Sequence, residues 1–157
     1  MLAPFGFPVG DFVTVLTLTK DVIAGLQAQG GAVDEFYNVV EDLEANLTIF
    51  QQLENHKLPE RYDAQQKSIA ALAQSLYGLA IDFLAIVQRY KRDFTRPEAR
   101  HSHRAVLKKT GWTMKISKRL ARFRTEVEAK SLSLRLLLSK VNMSVIPNHT
   151  LYITEKP

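Results

Sequence analysis

Apolar residues recur every three or four positions through four long segments of this chain, and nowhere does a period-two alternation run long enough to specify a sheet. A chain so written has to bury several helical stripes against one another. The clearest stripe places Phe36, Val39, Val40, Leu43, Leu47, Phe50 and Leu53 on one side, with Glu41, Asp42 and Glu44 on its flanks. Before it, Phe12, Val15, Leu16, Val22, Ile23 and Leu26 predict a first helix, with Asp11 as its cap and Gly30-Gly31 as its stop. After Pro59, the spacing predicts a long third helix over about 63–94, in which Ile69, Leu72, Leu76, Leu79, Phe83, Val87 and Tyr90 share a side widened by Ala73, Ala80 and Leu84. At about 1.5 Å per residue this segment either outreaches a compact bundle or is divided by a bend.

Pro97 and the polar run 98–103 read as an irregular crossover. The fourth segment, about 105–142, sets Trp112, Ile116, Leu120, Phe123 and Val127 on one face and continues through Leu134, Leu137, Leu138 and Val141, with Gly111 as a candidate break. The predicted fold is all-α: a four-segment antiparallel helical bundle over residues 1–142, with a long third helix and an irregular or disordered tail over 143–157. With 46% hydrophobic and 24% charged residues in 157 positions, the chain suits one core-forming domain.

Charge is divided along the chain. Residues 1–88 carry four Lys/Arg against eleven Asp/Glu, whereas residues 89–130 carry fourteen against four. The basic stretch supplies a candidate interaction surface from Lys108, Lys109, Trp112, Lys115, Lys118, Arg119, Arg122 and Phe123, with the two aromatic rings contributing only if exposed. Its leading reading is a protein partner or self-association, with the acidic half of the same or another copy as the complement. The alternative is peripheral binding to an anionic membrane. Nucleic acid is the weaker partner, because no reading-helix motif accompanies the charge. Trp112 itself reads first as a core anchor and second as an interface residue.

Catalytic chemistry finds no constellation here. His101-Ser102-His103 offers two imidazoles, but the flanking Arg100 and Arg104 disfavour a cation and the chain has no cysteine. Acidic pairs such as Glu41 with Glu44 read as solvated helix face, the serines lack a nucleophile-elbow spacing, and the glycines do not form a phosphate loop. The expectation is therefore a non-enzymatic chain with no metal and no cofactor. The lack of cysteine also favours an intracellular, cytoplasmic location. The start of the chain has no basic region before its apolar run and is a poor signal peptide. Residues 68–87 approach membrane-spanning length but are interrupted by Gln74, Ser75 and Asp82. Glycosylation spacings at Asn46, Asn142 and Asn148 read as coincidental, with Asn46 expected on the polar flank of its helix.

The opening Phe5-Gly6-Phe7-Pro8-Val9-Gly10-Asp11-Phe12, the stripe over 36–53, and the stretches 108–116, 120–130 and 131–138 together resemble a family of fungal helical N-terminal domains. Those domains head STAND-type receptors and proteins with ankyrin repeats or ubiquitin-like modules. The resemblance covers about residues 5–142 and implies a helical signalling or adaptor module. Some members are distantly similar to cell-death and prion-associated domains that act through self-association or membranes. It brings no catalytic residue and no cofactor. On this resemblance the chain is expected to be a stand-alone relative or a shortened gene product.

Overall fold

The stripe over 36–53 does form a helix, α2 (Asp34–Asn55), and all seven of its predicted inward positions are buried. Val33 precedes it without a side-chain cap, so Asp34 and Glu35 in the first turn are the groups that complement the positive end of the helix dipole. The helix stops at His56, whose backbone is extended. A computed structural model describes residues 5–28, 33–56, 58–94 and 103–141, with side chains described throughout except at Phe94 and 103–115. The expected tail over 143–157 and the Gly30-Gly31 stop lie outside the described residues.

Helix α1 (Val9–Ala28) starts two residues before Asp11, so Asp11 stands in the first turn and is not the cap that its position suggested. Its backbone N–H donates to the Pro8 carbonyl at 3.0 Å, which winds the chain into the helix directly after proline. Phe12, Leu16, Ile23 and Leu26 are buried, while Val15 and Val22 are half-buried. A single 3₁₀ turn (Glu60–Tyr62) after Pro59 leads into α3 (Asp63–Phe94), one continuous helix of 32 residues. No break in the helix divides α3, which at about 1.5 Å per residue spans about 48 Å, against about 30 Å for α1. Helix α4 (His103–Lys140) likewise runs unbroken through Gly111, a glycine in a helix interior costing only about 1 kcal/mol.

Consecutive helices run antiparallel, as expected for a bundle with short connections. Phe50 of α2 lies against Phe12 at the start of α1, and Phe36 lies against Phe83 and Tyr90 in the later half of α3. Around the bundle, however, the helices are ordered α1, α2, α4, α3, which makes two of the neighbouring pairs parallel. Phe7 stacks on Tyr77 at 4.5 Å and Lys91 reaches Gly25, so α1 and α3 advance together. Glu35 meets Ser117, Asp42 meets Arg124 and Asn46 meets Ser131, so α2 and α4 advance together as well.

Among the described residues, aromatic rings fill the core in two groups. Phe5, Phe7, Phe12, Phe50 and Tyr77 pack at one end, and Phe36, Phe83, Tyr90 and Phe123 pack in the other half. The first group is closed by the segment before α1, where Gly6 takes φ +75° and Gln74 Nε2 donates to the Phe5 carbonyl at 3.0 Å. That turn lets Phe5 and Phe7 both point inward ahead of the helix.

Candidate interaction surface

Helix α4 has two sides with different tasks. Ile116, Leu120, Phe123, Val127, Leu134 and Leu138 are buried at helical spacing and attach it to α2 and α3. Lys118, Arg119 and Arg122 stand exposed on the remaining circumference. Lys108, Lys109, Trp112 and Lys115 lie on α4, but their side chains fall outside the described residues.

Phe123 belongs to the core and not to the surface proposed from the sequence. It is only 7% exposed and its ring centroid lies 5.4 Å from that of Phe83. The reason is angular: Phe123 follows Leu120 by three positions and precedes Val127 by four, so it falls on the inward stripe, whereas Arg122, one position earlier, is turned about 100° away.

Part of the charge division closes within the fold. Arg124 Nε lies 3.2 Å from Asp42 of α2 and 3.5 Å from Glu128 of its own helix. Ser117 donates to Glu35 at 3.3 Å, while Lys20 pairs with Glu44 between α1 and α2, inside the acidic half. These contacts are solvent-exposed, so they orient neighbouring helices and add little stability.

Beneath the ion pairs sits a buried polar link. Asn46 is 3% exposed, and its Nδ2 donates both to the Asp42 carbonyl and to Ser131 Oγ at 2.8 Å. Ser131 in turn donates to the Val127 carbonyl at 2.6 Å. The polar flank expected for Asn46 is therefore wrong: the residue faces α4, and the Ser131 hydroxyl satisfies it there. It floors a small groove, about 140 Å³ in volume, walled by Asp42 and Ile49 on one side and Glu128, Leu132 and Arg135 on the other.

Sequence reasoning passed over Leu132 and Leu136. Each is 57% exposed, which makes them the most exposed large apolar side chains among the described residues, and they stand one turn apart on the outer side of α4. A signal was present in the sequence. Five leucines crowd 132–138, and a single inward stripe that already holds 134 and 138, with 137 at its edge, has no place for 132 or 136.

No group of three His, Cys, Asp or Glu side chains is placed to hold a metal among the described residues. One helix among them, α3 with its 3₁₀ lead-in, is long and apolar enough to cross a membrane. In the fold it packs against α1 and α4 and exposes Gln74, Asp82 and Ile81. The same length and composition suit the core helix of a bundle. No family model, curated protein or solved structure matches this chain.

Proposed function

We propose that the chain is a non-enzymatic protein-interaction module of intracellular signalling that acts through self-association. The observation that carries this reading is the pair of exposed leucines, Leu132 and Leu136, on the outer side of an otherwise charged helix. Apolar side chains placed together on a charged helix face are the composition of an interface, since burying the exposed part of each, a little over half of the side chain, contributes about 1–2 kcal/mol when water is excluded. The resemblance to fungal N-terminal domains supports the signalling context, and a cysteine-free sequence suits a reducing compartment.

Light scattering of the purified chain across concentration and salt tests it. A discrete oligomer that persists at moderate ionic strength is the expected result, because an apolar contact is not screened. A monomer under every condition overturns self-association.

A second reading rests on a different observation. Lys118, Arg119 and Arg122 are exposed together, and a basic helix face of this kind is attracted to anionic lipid. Salt-sensitive binding to anionic vesicles is the expected signature.

A further inference from the structure

The exposed leucines belong to a longer seam. Thr125, Ala129, Leu132, Leu136 and Ser139 are all exposed, and they follow one another at alternating four- and three-residue spacing. This is the repeat that keeps one side of a helix facing a partner helix. The seam is uncharged, and its two hydroxyls are already committed: Thr125 donates to the Ala121 carbonyl at 2.9 Å and Ser139 to the Leu136 carbonyl at 2.8 Å. Removing water from this strip therefore leaves no hydroxyl donor unsatisfied.

We infer that α4 pairs with α4 of a second copy in antiparallel, twofold fashion along this seam, in the register that sets Glu128 against Arg135 of the other copy. The inference rests on the self-association reading and specifies its surface. Glu128 and Arg135 are both exposed and flank the seam on the same side, seven residues apart. In an antiparallel pair with twofold symmetry, a residue i that meets j also has its j met by i, so one opposite-charge contact is made twice. Within a single copy the two groups are about 10.5 Å apart along the helix axis and do not meet.

Side-chain size selects the same register. Setting Glu128 against Arg135 places Leu132 over Ala129 and Leu136 over Thr125, a large residue against a small one at each level. Sliding the helices by one heptad places Leu132 over Leu136 but brings Arg135 opposite Arg135, like charge facing like charge. Charge and packing thus agree on one alignment.

The test uses the full chain with Glu128→Arg and Arg135→Glu, separately and mixed, followed by sedimentation equilibrium. Each variant alone places like charges at both contacts, so its homodimer is expected to weaken by at least about tenfold. Mixed in equal amounts, the two variants are expected to form a 1:1 heterodimer of wild-type strength. In that pair the arginine introduced in one chain faces the glutamate introduced in the other, and the unchanged Arg135 of the first faces the unchanged Glu128 of the second. This recovery also shows that neither variant failed to fold. A wild-type dimer that both single variants preserve, or variants that do not recover on mixing, overturns the α4 pairing and leaves self-association through another surface standing. A wild-type monomer at all concentrations overturns both.

Discussion

Asn46 is a polar residue that the apolar stripe of α2 tolerates because α4 supplies its partner. Replacing it with alanine removes the hydrogen bond to Ser131 across the interface, while Ser131 keeps its bond to the Val127 carbonyl. Asn46→Ala is therefore expected to lower unfolding free energy by about 1–2 kcal/mol in urea titration. Gly6 is a second position where one residue decides local geometry. A side chain at φ +75° is strained, and a Cβ there would meet the Gln74 amide that holds the Phe5 carbonyl. Gly6→Ala is expected to cost about 1–3 kcal/mol by the same titration, with loosening of Phe5 and Phe7. Neither effect was legible in the sequence. The glycine was visible but its positive φ was not, and the partner of Asn46 lies 85 positions away.

At the level of elements, the inward stripes were legible because burial obeys the helical period, and the buried sides of α2 and α3 follow it closely. The crossing of α2 beside α4 in parallel was not legible, since periodicity says which side of a helix is buried and not what it is buried against. A core ring of α3 that packs against α4 and a side chain on the outer side of α4 make this contrast measurable. Phe83 is fully buried between Phe36 and Phe123, and Phe83→Ala is expected to destabilise by about 3–5 kcal/mol through lost burial and a residual cavity. Leu132→Gln, on the outer side of α4, is expected to stay within about 0.5 kcal/mol of wild type at concentrations where the chain is monomeric. Finding a Leu132 cost as large as that of Phe83 would place Leu132 inside the fold and remove the apolar surface.

For the whole molecule, the division into acidic and basic halves becomes a partial internal pairing of α2 with α4, and Lys118 and Arg119 remain exposed beyond it. These two residues stand at least about 9 Å along the helix from Thr125, where the apolar seam begins. The basic run and the seam can therefore be separated by substitution, which makes Lys118→Glu with Arg119→Glu the informative double variant. Each basic group near an anionic bilayer contributes about 1 kcal/mol, so on the anionic-surface reading the double reversal weakens cosedimentation with phosphatidylserine vesicles by at least about thirtyfold. The same variant is expected to keep the wild-type mass in light scattering, because the seam and its flanking Glu128 and Arg135 are untouched. Loss of the oligomer with vesicle binding intact would reverse the assignment, moving the protein contact to the basic run and leaving Leu132 and Leu136 without a role in association.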